Sequence, residues 1–295
     1  IITYRKNAAN DFLNLKGKPS VLQRKKRKLL RKWLYFGKIK ILLVQNRWTL
    51  KRSIGMELKK YKHEAPYSYT LGMAPTLELI QYKPDAVDKI YVHPEYTPRD
   101  EIYNIFEVCK HACLPCEVNK KIFDRLSMKE NVFVIGAFLK YNAPVLSNRP
   151  HIVLVNPSNS GNLGTIIRTG VGFGFKDLVI IRPGVDPYDP KTIRSSMGAL
   201  FHIRLSFFDS FEDYYRQFSD HEIYTFMLKG KRFLSEMTQK PPKPFSLVFG
   251  NEATGLPDSF LNYGESIFIK HSKEIDSLNL SIAFGIAANT FSIDS

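Results

Sequence analysis

Cysteine is scarce, with three in 295 residues. So few thiols in a chain of this size exclude a disulfide framework, and a reducing compartment is the default. Long apolar runs are also missing. The best one, over residues 33–44, is broken by Lys38 and Lys40. It falls short of the ~20 residues of a membrane span, so no membrane partner is expected. Glycine and proline, 17 each and scattered, exclude collagen-like and low-complexity chains, and 44% hydrophobic with 24% charged residues is globular usage. Acidic residues are nearly absent from the first fifth. Residues 1–62 hold 19 Lys and Arg against Asp11 and Glu57 alone, whereas the remainder is close to neutral.

The formal net charge of +15 therefore belongs to the N-terminal segment, whose densest run is Arg24-Lys25-Lys26-Arg27-Lys28 followed by Arg31-Lys32. Such a run makes a salt-dependent field for phosphate backbones, anionic lipid or acidic proteins. Trp33, Tyr35, Phe36 and Trp48 are interleaved with it and suit stacking on bases, which favours nucleic acid. A transit peptide would share the lack of acids but would be richer in Arg and Ser. The chain begins at Ile1 rather than Met, so an organellar address stays open beside the cytoplasmic default.

Along the chain, 19–34 reads as a basic helix and 37–62 is ambiguous. From about 68 the pattern alternates: helix 70–82, strand 89–93, helix 99–112, strand 115–118, helix 119–126 and strand 131–138, a small α/β/α layer domain. Residues 141–149 read as a linker. A second series follows, with strands at 151–155, 178–181, 201–205, 222–228, 245–249 and 266–269, and helices at 162–172, 190–198, 211–217 and 277–291. Alternation of this kind predicts an α/β fold with a mostly parallel sheet covered on both faces. The divisions expected are a basic extension (1–62), a smaller domain (63–145) and a larger one (146–295).

Two motifs attract attention and fail on context. Cys109-x-x-x-Cys113-x-x-Cys116 has the spacing of an iron–sulfur loop, but Cys109 and Cys113 fall on a helix and Cys116 opens a strand, so no metal site is expected. Gly170-Val-Gly172-Phe-Gly174 closes a helix before a strand, whereas a dinucleotide loop follows a strand and opens a helix.

Three segments carry more. In the first, a strand ends at Val155, a polar loop follows, and Asn162 sits near the helix start, where capping residues belong, with Arg168 six residues on. In the second, a strand runs into Gly250, Asn251 and Glu252, with Gly255 beyond; glycines around a carboxylate at the carboxyl end of a strand allow close approach of a ligand. In the third, a strand ends near Ile269, a polar loop crosses, Ser277 is placed to cap the last helix and Asn279 lies in its first turn.

In combination, residues 151–291 resemble the SpoU/TrmH branch of the SPOUT RNA methyltransferases. The matching motifs are N-x-G-x-x-x-R (Asn162, Gly164, Arg168), G-N-E-x-x-G-L (Gly250 to Leu256) and S-L-N-x-S (Ser277 to Ser281). Residues 68–145 resemble, more loosely, the ribosomal-protein-like RNA-binding domain that often precedes this catalytic domain. The resemblance implies methyl transfer from S-adenosylmethionine to a ribose 2′-hydroxyl, of ribosomal RNA first and transfer RNA second, by a homodimer with a C-terminal trefoil knot. It implies Arg168 as the catalytic arginine, with Asn162, Glu252, Ser277 and Asn279 positioning it and the ribose, and Glu252 is expected to hold Arg168. The cofactor would lie among the loops of Leu228, Lys229 and Gly230, of Phe249, Gly250 and Asn251, and of Ile269 and Leu278. The alternative is an RNA-binding protein that keeps the fold without turnover.

Overall fold

The computed structural model describes residues 58–98, 104–126, 131–237, 241 and 244–293. The expected helix over 19–34 lies outside the described residues.

The smaller lobe begins with β1 (Tyr67–Leu71), which runs through Gly72 into α1 (Met73–Tyr82). The expected helix start at Thr70 is thus corrected. Ser68, Tyr69 and Thr70 are buried in the strand, and Gly72, at φ +107°, makes the bend. Then come β2 (Val87–Val92), α2 (Ile105–Ala112), β3 (Cys116–Val118), α3 (Lys120–Leu126) and β4 (Val134–Leu139). The sheet order is β1-β4-β2-β3, with β4 antiparallel to both neighbours and β2 parallel to β3. Cys113 ends α2 in the left-handed region at φ 55°, and Cys116 opens β3. A hydrogen bond between Cys116 and Cys109, together with burial, pushes the Cys109 thiol up, and the same bond holds Cys116 low against its own burial.

The larger lobe holds β5 (His151–Val155), α4 (Ser160–Gly172), β6 (Asp177–Ile181), α5 (Pro190–Ser195), β7 (Arg204–Phe208), α6 (Phe211–Gln217), β8 (Glu222–Phe226), β9 (Arg232–Phe233), β10 (Phe245–Phe249), β11 (Glu265–Phe268) and α7 (Leu280–Thr290). Its seven strands run in the order β7-β6-β5-β10-β8-β11-β9, and every pairing is parallel. Strands β5, β6 and β10 are buried along their whole length, as strands covered on both faces must be. One face packs Val153, Val155, Val179, Ile181, Ile223 and Val248 against Phe211, Tyr214 and Phe218. On the other, Phe284 meets Phe249, and Gly170 leaves room for Ile152.

Two further expectations shift, and one strand was not expected. The strand placed at 201–205 begins at Arg204, because Ala199–His202 forms a 3₁₀ turn that buries Leu200 and Phe201. The last helix begins at Leu280, not at Ser277. The two-residue edge strand β9 has no alternation to reveal it.

The lobes are joined by side chains. Ser68 Oγ donates to the Tyr188 carbonyl at 2.5 Å, Glu78 meets His202 Nε2 at 2.6 Å, and the Phe138 and Phe201 rings are 5.3 Å apart. Asp186, almost buried, receives the Tyr61 hydroxyl, His63 Nδ1 at 2.9 Å and Lys140 Nζ at 3.2 Å. Burial alone would raise the Asp186 carboxyl, but these partners hold it below the usual range.

Candidate active site

Strands β10, β8 and β11 are neighbours and parallel, so the loops that leave their carboxyl ends, at 250–255, 227–231 and 269–279, emerge side by side. The loop after β5, next in the sheet, joins them. This is the edge at which open α/β sheets bind ligands.

Glu252 is the centre of that edge. Its carboxylate accepts from Ser158 N at 2.9 Å, Ser158 Oγ at 2.8 Å, Asn159 N at 3.0 Å and Asn162 Nδ2 at 3.2 Å. Asn162 Oδ1 in turn accepts from Asn279 Nδ2 at 3.1 Å. Asn279 Oδ1 receives Ser281 N at 2.9 Å and so starts α7. One chain of hydrogen bonds therefore ties together the three motif segments. Partial burial works to raise the Glu252 carboxyl, but the Ser158 and Asn162 donors outweigh it and keep the group ionised below the ordinary carboxylate range.

The helix ends differ from the sequence expectation in detail. Asn159, not Asn162, caps α4, accepting from Gly161 N at 2.8 Å and Asn162 N at 3.0 Å. That frees the Asn162 side chain to bridge Glu252 and Asn279. Asn279, not Ser277, caps α7. Ser277 is exposed and makes no side-chain hydrogen bond among the described residues. Both displacements have one cause. Each segment offers several Asn and Ser residues with equal capping ability, and only the path of the loop selects among them.

Arg168 does not meet Glu252, contrary to expectation. It is exposed on α4 and has no hydrogen-bond or ion-pair partner among the described residues. Six residues after Asn162 it lies ~9 Å along the axis and on another face. Ser158 and Asn159, the main partners of Glu252, were not expected site residues. Their only signal is the polar Asn156-Pro157-Ser158-Asn159 run.

The residues expected to hold the cofactor lie on these neighbouring loops. A Cβ on Gly250 would collide with the Gly255 backbone, and the loop closes through Gly255 N to Asn251 O at 2.9 Å. Gly255 sits at φ 66°. Asn251 Nδ2 donates to the Asn156 carbonyl at 2.7 Å, fastening this loop to the one after β5. Lys229 Nζ pairs with Asp258 at 2.7 Å, and a Cβ on Gly230 would strike the Ile267 carbonyl. Phe249 is buried against Phe226, its ring 4.3 Å away, and supports the loops from below. Leu228 is 60% exposed, and Ile269 and Leu278 are half-buried, so these loops offer apolar surface.

This edge, with its motifs joined by Glu252, Asn162 and Asn279, matches the model of the SpoU rRNA Methylase family over residues 149–289. A protein of Listeria monocytogenes named "Putative tRNA (cytidine(34)-2'-O)-methyltransferase" is 34% identical over 142 residues, 47% of this chain and 83% of that protein. The chain belongs to the SpoU methylase family. A 23S rRNA (guanosine(2553)-2'-O)-methyltransferase of Bacillus subtilis is 25% identical over 177 residues, 57% of this chain and 68% of the relative. Among solved structures, the AdoMet-bound rRNA methyltransferase from Sinorhizobium meliloti shares the fold with a TM-score of 0.64, at 22% identity, covering 76% of this chain and 86% of that one. The SpoU methyltransferase AviRb from Streptomyces viridochromogenes does so with a TM-score of 0.64 at 18% identity, over 76% and 88%. Within the family match, Gly164 has a packing role: a Cβ there would collide with Ser195 and the Thr192 carbonyl of α5.

Proposed function

We propose that the chain is an RNA 2′-O-ribose methyltransferase that uses S-adenosylmethionine. The observation that carries this is the hydrogen-bonded chain from Glu252 through Asn162 to Asn279, which gathers the family's three motifs at one sheet edge. The residues on these loops fit the cofactor in kind. Leu228, Ile269 and Leu278 offer apolar surface to an adenine, and the backbone leaves no room for a side chain at Gly230, against Ile267, or at Gly250, against Gly255. When bound, the cofactor supplies an electrophilic sulfonium methyl.

The chain's own residues must orient the ribose hydroxyl, share its proton and exclude water. Glu252, kept ionised, fixes the loop of Ser158 and Asn159 and the side chain of Asn162. Arg168 stabilises the developing alkoxide and grips the adjacent phosphate. A guanidinium is a poor proton acceptor, so electrostatic stabilisation is its role here. Arg168 lies apart from Glu252 within one chain, and Ile282 and Ile286, one turn apart on α7, are 55% and 41% exposed. Both features support a homodimer. The late strand β10 between β5 and β8 supports a trefoil knot at the carboxyl end.

We assign residues 63–145 to RNA binding and 146–295 to methyl transfer. Ribosomal RNA is the first substrate and transfer RNA the second, because the fold shared with rRNA methyltransferases extends over part of the smaller lobe. The test is methyl transfer from labelled S-adenosylmethionine to total RNA, with nucleoside analysis. Label in a 2′-O-methyl nucleoside is expected. No transfer and no cofactor binding would leave RNA binding without turnover.

A further inference from the structure

A groove of about 600 Å³ opens where the two lobes meet, lined among others by Lys140, Tyr141 and Asn142 after β4, Arg182 after β6, Phe207 on β7 and Gln217 at the end of α6. Aromatic faces and cations concentrate here. The Arg182 guanidinium lies 5.1 Å from the centre of the exposed Phe207 ring, and Lys83 Nζ lies 4.6 Å from that of Tyr141. Lys140 stands 4.9 Å from the Tyr61 ring and 5.9 Å from that of Tyr188. The side-chain amides of Asn142 and Gln217 are exposed and make no hydrogen bond among the described residues.

The charges do not make a phosphate clamp. Lys140 is engaged by Asp186 and Arg182 by Asp209 at 2.8 Å, so the lining is nearly balanced. Flat rings, a guanidinium plane and unspent amides suit a different ligand. They match the way unpaired RNA bases are read, by stacking on aromatic or Arg faces with hydrogen bonds to the base edge. The volume is within the range of small-ligand clefts.

The groove also has the right address. Arg182 N donates to the Phe208 carbonyl at 2.9 Å. Two residues on, Gly184 lies against Pro157, and Val185 N donates to the Pro157 carbonyl at 2.9 Å. Pro157 precedes Ser158, which holds Glu252. The groove and the candidate active site are thus joined by one short stretch of backbone on the same sheet edge.

We propose that this groove takes an unpaired base of a single-stranded RNA segment flanking the target nucleotide, stacked on Phe207 and Tyr141. The inference rests on the RNA methyltransferase reading. It is tested with the full chain and a fluorescent single-stranded RNA 12-mer carrying 5-iodouridine, at ~0.3 M salt to weaken the phosphate contacts of the basic segment. Phe207→Ala is expected to raise the Kd about tenfold, within the ~5- to 150-fold that loss of one stacked base implies. Arg182→Gln, a milder change of an exposed side chain, is expected to raise it about threefold to tenfold. Lys176→Ala, an exposed lysine at the amino end of β6 and so at the opposite end of the sheet from the candidate active site, should leave it unchanged. Irradiation should cross-link the oligonucleotide to Tyr141 or Phe207. Failure of the wild type to bind the 12-mer overturns the proposal. So does an unchanged Kd in both groove variants, or cross-links confined to residues elsewhere. Methyl transfer to total RNA by the same preparations separates the two readings. If transfer persists while the groove variants bind normally, only the groove is refuted.

Discussion

The seven-stranded sheet has a polar network at each end, and the two are built differently. At the carboxyl end, Glu252, Ser158, Asn162 and Asn279 are half-buried or exposed, and their bonds join loop to loop. At the amino end, His151 is completely buried, its Nδ1 2.9 Å from the Tyr214 hydroxyl and its Nε2 3.0 Å from the Leu146 carbonyl. Tyr214 continues to Ser246 at 2.5 Å, Ser246 to His221 Nδ1 at 2.9 Å, and His221 Nε2 to the Ser147 carbonyl at 2.7 Å. Asp177, ion-paired with Arg204, accepts Leu146 N at 3.0 Å. This second network pins the link between the lobes to the root of the sheet. A wet network orients groups without adding much to stability. A dry one has to be complete, because each orphaned group costs its full desolvation.

Substitutions at each end should therefore separate activity from stability. Arg168→Ala is expected to lower methyl transfer about 10²- to 10³-fold, with cofactor affinity by calorimetry and melting temperature unchanged. An equal loss of cofactor binding would contradict the role given to it. At the other end, His151→Ala should cost about 2–4 kcal/mol in denaturant unfolding, since it leaves the Leu146 carbonyl and the Tyr214 hydroxyl short of partners in a buried space. Acid should act at the same place. Burial pushes His151 down to about 4, with the Leu146 carbonyl opposing and His221 reinforcing, and burial also lowers His221. The folded state then resists protons that the unfolded chain takes up below about 6.5. Stability is full above that pH and falls by about 2–3 kcal/mol as pH drops toward 4. A flat unfolding free energy across that window would show that the buried pair does not titrate as described. Glu252→Gln should lower transfer about tenfold while shifting the melting temperature little, because the amide replaces an acceptor with a donor facing Ser158 N–H. Asn279→Ala should cost about 1 kcal/mol through the lost cap of α7 and lower transfer further by releasing Asn162.

The sequence patterns behind these two ends were unequally legible. Buried strands such as 151–155 and 245–249 stand out as apolar runs, so the larger lobe's alternation was readable in advance. The strand Tyr67–Leu71 is not legible, and its last two residues read as part of the following helix, because Ser68 and Thr70, polar by type, are buried there by hydrogen bonds to Tyr188 and Thr76. The motif residues Asn162, Glu252 and Asn279 were legible by resemblance, but their wiring was not. Which asparagine caps a helix and which bridges to a carboxylate depends on contacts between segments 90 or more residues apart. The amino-end network was invisible for the same reason, since His151, Tyr214, His221 and Ser246 belong to four separate elements.

The place of β10 has a consequence for synthesis. It is the central strand of the larger sheet and yet enters after β5, β6, β7 and β8 have been made. Until residues 245–249 leave the ribosome, β5 and β8 each present an unpaired apolar edge, and the sheet cannot close from one side to the other as it is translated. A nascent chain in that state is open to pairing with its neighbours. Its yield in cells should respond to chaperone supply and translation speed more than the stability of the finished molecule would suggest.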